Sequence, residues 1–511
     1  GISPNDVTYM GCLKACGTIR SIQEGQAMHA EIERKGLLQK NLALGSSLVD
    51  MYSKWGMVSK AKEVFDNFSV HDIILWNSLI AAFAEHGYGE ESLNCLKQMQ
   101  LEGALPDDVS TLCSLKACGS IRASVKGCEI HAQIERNDLL DSNILVGGAL
   151  IDMYAKCGLL SKAQQIFHTL RFRNSISWNA LIAGYTENGQ GDKACECYEQ
   201  MQLEGFSPDI VTFICVLKAC GSTGAAEKGI EIHADIERNK LLETEHHILG
   251  ATLMDMYIKC GFLGKAQCVF DQVSSRNNIV LWNILIAGYA ENGQAEEALK
   301  CLEKMQLEGV QPDLVALVCS LKACTTLGAI DKGLELHTDI ERKGFLDQDL
   351  VVGSALVDMY AKCASITTAQ QVFDKLPIRD TVSWNALITG YSQIGECESV
   401  FTIFDRMLGV GTKPDPITFI IVLNACSRTG LHCKSQTYFE SMGKDYGIIP
   451  TVEHHGCMID LLSRAGHLGK AVTTIVGMPL GANVEVWRTL LDACRKWGSV
   501  NLGKQVFEHV I

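Results

Sequence analysis

Apolar side chains recur along this chain at helical spacing, in short runs cut by glycine-containing turns. Leu181, Ile182 and Tyr185 form one run, "ENGQ" interrupts it, and Ala194, Cys197, Tyr198 and Met201 form the next. Residues three and four apart share one face of a helix, so each run predicts an amphipathic helix. Two runs joined by a tight turn predict a helical hairpin.

The hairpins repeat. Trp76, Trp178, Trp282 and Trp384 are 102, 104 and 102 residues apart, and Pro4, Pro106, Pro208, Pro312 and Pro414 follow steps of 102, 102, 104 and 102. One period holds three hairpins: residues 73–107 (35), 108–143 (36) and 144–174 (31). A single hairpin cannot bury both its faces, so neighbours must stack. The expected fold class is all-α, an α-solenoid superhelix of stacked helix-turn-helix repeats. Fourteen complete hairpins fit between residues 6 and 483, with no linker or low-complexity segment between them. "GISPN" at the start matches the repeat end "GFSPD". Residues 1–5 are therefore read as the end of a truncated repeat. Residues 6–415 form twelve hairpins in 36/31/35 triplets, 416–483 the last two, and 484–511 a truncated related unit. On this reading the chain is a piece of a longer protein.

Composition narrows the function. At 47% hydrophobic and 20% charged, the 511 residues are too apolar for a disordered chain. Lys and Arg number 45 against 59 Asp and Glu, a net charge of −14. That excludes nonspecific coating of nucleic acid or anionic lipid, but leaves room for a local basic stripe. The longest uncharged run, 381–395, has 15 residues. A bilayer span needs about 20, so no membrane partner is expected. The 22 Cys recur largely at equivalent repeat sites and read as reduced thiols rather than a disulfide framework.

Two polar columns break the apolar pattern. In the 35-residue hairpins the fifth residue is Asn77, Asn179, Asn283 and Asn385, and the last is Asp107, Asp209, Asp313 and Asp415. Asn5 closes the incomplete one. In the 31-residue type the fifth is Ser46, Gly148, Ala251 and Ser354, and the last Asp72, Asn174, Asn278 and Asp380. In the 36-residue type the fifth is apolar (Met10, Leu112, Ile214, Val318, Ile420) and reads no hydrogen-bonding partner. Amide and carboxylate together match the donor and acceptor pattern of a base edge. Helix caps draw on the same residue types, so the recurring pair carries this reading rather than its terminal member alone.

The 35/36/31 triplet, "WNALI…MQxEGxxPD" and "ALIDMYAKCG…AxxxF" resemble pentatricopeptide-repeat proteins of the plant PLS class. "EHHGCMIDLLSRAGHLGKA" from Glu453 and "VEVWRTLLDACRKWGSVNLGKQ" from Val484 resemble the repeats and E-type extension that close such proteins. The resemblance covers essentially the whole chain. It implies sequence-specific binding of single-stranded organellar RNA, one base per repeat. It further implies a specificity factor for C-to-U RNA editing, placing a cytidine for a deaminase that lies further along the chain or acts in trans. The organelle implied is the mitochondrion, with the chloroplast as alternative. By the same resemblance Asn/Asp pairs favour U with C tolerated, Ser/Asp pairs favour G, and Gly148/Asn174 and Ala251/Asn278 lean to A. Asn5 suggests A or C. The implied footprint is 5′-(A/C)NGUN(A)UN(A)UNGUNN-3′, with N at unread positions.

Lys54, Lys156, Lys259 and Lys362 lie eight residues after the fifth position, on the same helix face, where a basic row could follow phosphates. Lys14, Lys116, Lys218 and Lys322 form a second column, read as solvated surface.

Deaminase chemistry needs H-x-E and a later P-C-x-x-C. His29-Ala30-Glu31 fits the first half, but the Glu does not recur in its column and no C-x-x-C exists in the chain. No enzymatic activity and no cofactor or metal are expected of this chain. The Trp column is expected in the core. The alternative function is a helical-repeat protein–protein scaffold, or a factor for RNA stabilisation or processing. A peptide scaffold gives no reason for the three-step rhythm of the fifth position.

Overall fold

The structure is a computed structural model describing residues 4–38, 41–137, 139–242, 247–273, 278–347, 349–478 and 483–509. Its fold is all-α, the expected class, with no strand among the described residues. It comprises two compact units, Gly1–Ser274 and Ser275–Ile511. Residues 274–277 lie outside the described ones.

Within each unit helices come in pairs, as in Ser175–Glu187 with Gly191–Leu203 and Thr381–Gln393 with Cys397–Gly409. Each first helix packs on its own partner and, within its unit, on the first helix of the next hairpin. The three hairpin lengths have a local cause. In the shortest type the second helix has only 9 or 10 residues, as in Val58–Asp66 and Leu160–Thr169, against 13 in Gly89–Leu101. In one 36-residue hairpin, a further turn, Leu139–Ser142, follows the second helix.

Asp or Asn starts most first helices, and left-handed residues end the intra-hairpin turns. Gly158 takes φ 75° and Gly261 φ 80° in "KCG". Ala364 occupies the same place in "KCA" at φ 60°, a conformation that disfavours a β-carbon. The core is built from the repeat columns. Trp76, Trp178, Trp282 and Trp384 are at most 1% exposed, as their place in the pattern predicts. Phe65, Phe167 and Phe373 meet Trp76, Trp178 and Trp384 edge-on at 4.4–4.6 Å between ring centroids.

Candidate nucleic-acid interface

The last residue of each 31- and 35-residue hairpin caps the next helix. Asn5, Asp72, Asp107, Asn174, Asp209, Asn278, Asp313, Asp380 and Asp415 are all N-caps whose side-chain oxygen accepts a backbone N–H of the first turn. A cap of this kind satisfies a donor the helix cannot satisfy itself. The capping alternative is therefore real, and it coexists with the pairing. In the 35-residue hairpins the fifth Asn lies within hydrogen-bond reach of the same carboxylate. Asn77 Nδ2 donates to Asp107 at 2.8 Å, Asn179 to Asp209 at 3.0 Å, Asn283 to Asp313 at 2.9 Å and Asn385 to Asp415 at 3.0 Å. Burial pushes the Asp107 carboxyl up, but hydrogen bonds from Ser110 and Asn77 outweigh it and hold the group below its usual value. It is charged at neutral pH and orders the amide beside it.

The 31-residue hairpins are less uniform. Ser354 Oγ lies 3.1 Å from Asp380 Oδ1 and 3.0 Å from the Leu350 carbonyl. Ser46 donates to the Leu42 carbonyl at 3.3 Å, and Asp72 accepts from the Leu75 amide at 2.8 Å. Gly148 is buried, and a β-carbon there would meet Ile176 Cγ2 at 3.0 Å. Asn174 caps Ser175–Glu187 through Ser177, while Ala251 lies in the first unit and Asn278 caps Ile279–Glu291 in the second.

A row that sequence reasoning missed flanks these pairs. The second residue of each hairpin from 6 to 451 is an exposed aliphatic or Ala side chain. Among the larger ones exposure runs from 43% at Leu145 to 70% at Ile248, and Ile74, Ile176, Val280 and Val382 precede the four Asn. At Glu453 and Glu485 the row turns to exposed carboxylates. Apolar residues inside an apolar run look like core, so only their strict position beside the fifth residue could have marked them.

The lysine row is not a free cationic stripe. Lys54, Lys156, Lys259 and Lys362 each pair with an Asp one turn back, Asp50, Asp152, Asp255 and Asp358, at 2.7–2.9 Å. Exposed pairs of this kind contribute little stability. Their aliphatic stems have a packing role as well: the Cδ atoms of Lys54, Lys156 and Lys259 lie 3.2–3.3 Å from where a β-carbon would stand on Gly17, Gly119 and Gly221.

His29 belongs to a structural column. Its Nδ1 is 2.8 Å from the Tyr52 hydroxyl, and His131, His233 and His337 meet Tyr154, Tyr257 and Tyr360 likewise at 2.8–3.0 Å. His454 joins its helix start to the preceding one, with Nε2 2.9 Å from the Pro416 carbonyl and Nδ1 2.8 Å from Thr451. Among the described residues no cluster of His, Cys, Asp or Glu is arranged to hold a metal, and no helix is long and apolar enough to cross a membrane.

Known proteins share this architecture. Models of the PPR repeat family match residues 173–222, 277–326 and 379–428, and of the PPR repeat residues 46–71, 74–103 and 148–174. A mitochondrial pentatricopeptide repeat-containing protein of Arabidopsis thaliana is 31% identical over 100% of this chain and 73% of its own length. A chloroplastic one from the same plant is 33% identical over 100% of this chain and 58% of its own length. The chain spans 65% and 50% of two further Arabidopsis relatives. Among solved structures, the maize pentatricopeptide repeat protein PPR10 superposes with a TM-score of 0.57 at 19% identity, over 96% of this chain and 75% of that one. PPR10 in complex with an 18-nt psaJ RNA element gives 0.51 at 18% identity, over 100% and 81%. Repeat text, hairpin geometry and relatives agree: the chain belongs to the pentatricopeptide-repeat protein family.

Proposed function

We propose that this chain binds single-stranded RNA sequence-specifically, one base per repeat, read through the fifth and last residues of the 31- and 35-residue hairpins. The observation that carries the reading is the Asn–Asp bond itself, at 2.8–3.0 Å in each 35-residue hairpin, with an exposed aliphatic residue three positions before the Asn. A held amide offers directional hydrogen bonds to one base edge, and the aliphatic row offers apolar contact to base faces. PPR10, a protein of the same fold, is solved in complex with an 18-nt psaJ RNA element, which supports RNA as the ligand.

The finer reading is a PLS-class array whose last two repeats span 416–483 and whose residues 484–511 begin an E-type extension. Its role is that of a C-to-U editing specificity factor. A cytidine deaminase, carried by the longer protein or supplied in trans, would act on the base it places. The names of relatives include both mitochondrial and chloroplastic proteins. The mitochondrion is our first assignment and the chloroplast the second.

The test is binding of labelled RNA carrying 5′-(A/C)NGUN(A)UN(A)UNGUNN-3′, against the same RNA with both G changed to U, at fixed salt with excess competitor. Preference for the footprint supports base reading. Absence of binding to either RNA rejects it.

A further inference from the structure

The third residue of the hairpin that follows each reading Asn is fully buried: Ser110, Thr212, Ala316 and Thr418. At two of these positions it reaches the Asn amide of the preceding hairpin. Thr212 Oγ lies 2.6 Å from Asn179 Oδ1, and Thr418 Oγ lies 2.6 Å from Asn385 Oδ1. Each hydroxyl accepts the backbone N–H of the capping Asp, at 3.0 Å from Asp209 and 3.1 Å from Asp415. Its single proton has two acceptors in reach, the Asn carbonyl at 2.6 Å and the capping carboxylate at 3.0 Å for Asp209 and 2.8 Å for Asp415, and the Asn carbonyl is the nearer. The amide is held at both ends, by the Asp carboxylate at Nδ2 and by the Thr hydroxyl at Oδ1. Flipping it would set its carbonyl against a carboxylate, two acceptors facing each other.

The other two sites differ. Ser110 turns its hydroxyl back onto Asp107, 3.0 Å from the carbonyl and 3.1 Å from Oδ1, and Ala316 has no hydroxyl. Asn77 Oδ1 and Asn283 Oδ1 are buried with no hydrogen-bond partner among the described residues. A buried carbonyl without a donor is costly, and a donor arriving with a ligand relieves it.

Resting on the base-reading function proposed above, we propose that Thr212 and Thr418 are specificity-determining residues that make Asn179 and Asn385 selective for uracil over cytosine. With Oδ1 engaged, these Asn offer a fixed N–H, which suits the carbonyl oxygens of uracil. Without that second hold, the amides of Asn77 and Asn283 can shift to bring their buried, unsatisfied acceptor onto the exocyclic amino group of cytosine as well. Four pairs that are identical at the fifth and last positions therefore divide into two strict and two tolerant readers.

The experiment uses the full chain and footprint RNAs carrying U or C at each of the four positions in turn, in competition at fixed salt. Expected for the native protein is a U-over-C ratio of about three- to tenfold at the bases read by Asn179 and Asn385, and near unity at the other two. Thr212→Val keeps the shape and removes the hydroxyl, so the ratio at the Asn179 position falls toward unity while the Asn385 position is unchanged. Thr212→Ser places there the residue whose hydroxyl turns back onto Asp107 at the Asn77 site, so it should lower the ratio as well. Ala316→Thr supplies the missing hydroxyl and raises the ratio at the Asn283 position, a gain that damaged folding cannot mimic. Equal ratios at all four positions, or a ratio untouched by both Thr212→Val and Ala316→Thr, overturns the proposal. If the G-to-U changes in the footprint still weaken binding in that case, base reading stands and only the role of the third residue falls. If they do not, both fall.

Discussion

Asp209 does two jobs that a single substitution pair separates. One carboxylate oxygen caps the helix Ile210–Thr223 through the Thr212 amide at 2.9 Å, and the carboxylate also receives Asn179 Nδ2 at 3.0 Å. Asp209→Ala removes both. Loss of an N-cap costs about 1 kcal/mol, within a range of roughly 0.5–2. Asn179, 8% exposed, also loses its acceptor, and a buried donor without a partner costs about 1–3 kcal/mol more where water cannot replace it. Asp209→Asn keeps the cap, because Asn174 caps Ser175–Glu187 in the same capping-box geometry through Ser177. It replaces the charged acceptor facing Asn179 with an amide that presents a donor as readily. Stability in a stack of repeats is local, so the assay is hydrogen exchange over residues 210–223 of the intact chain, alongside RNA competition. Asp209→Ala should speed exchange there about fivefold or more, and Asp209→Asn should leave it within twofold. Both should erode the preference for U at the base read by this hairpin. Equal acceleration by the two variants would refute the separation of cap from reader. An unchanged U preference in both would refute the reading role of Asp209.

Ala364→Gly should stabilise the second unit by about 0.5–1 kcal/mol, since the left-handed φ of 60° disfavours a side chain by about 1–2 kcal/mol and the glycine recovers part of that against its looser unfolded chain; a lower melting midpoint contradicts this. Burial holds His29, His131, His233 and His337 below their ordinary pKa, against the opposing pull of Glu33, Glu135, Glu237 and Glu341. The unfolded chain then binds more protons below about pH 6.5, so stability is complete above that pH and declines as pH falls through the folded values. The melting midpoint should drop between pH 7.5 and 5.5, with a smaller drop in His131→Gln, and a midpoint that rises contradicts the sign. Burial pushes the Cys118 thiol up to about 12 and that of Cys426 to about 11, whereas Cys12, Cys268 and Cys433 are exposed. Maleimide labelling followed by peptide mass spectrometry should therefore modify the exposed three first, and early labelling of Cys118 would contradict the packing.

The hairpins were legible because each carries its own copy of the same signals: the Trp column, the Gly turn, and Asp or Asn at the helix start. The Asn–Asp pair was legible for the same reason, since Asn77 and Asp107 stand polar in columns that would otherwise be apolar. What stayed hidden depends on contacts between hairpins. Thr212 reaches Asn179 across 33 positions, and nothing local to either residue announces it. The exposed row through Ile176 and Val280 was taken up in the apolar pattern that predicts the helices, because periodicity records hydrophobicity and not the solvent a residue faces. The lysine row read as a phosphate track because its spacing matched the reading column. The Asp one turn before each lysine, equally visible in "DMY", is its ion-pair partner in the fold.

The central claim is that each polar pair reads one base, and a compensating change tests it most directly. Ser354 and Asp380 are assigned to a G. Ser354→Asn converts that hairpin to the Asn/Asp pair assigned to U. Native and variant chains would be titrated with footprint RNAs bearing G or U at that one position, four combinations in all. The account predicts that the native chain prefers G, the variant prefers U, and preferences at every other position stay as they were. A variant that keeps the preference for G, or one whose preferences shift at several positions together, would contradict it.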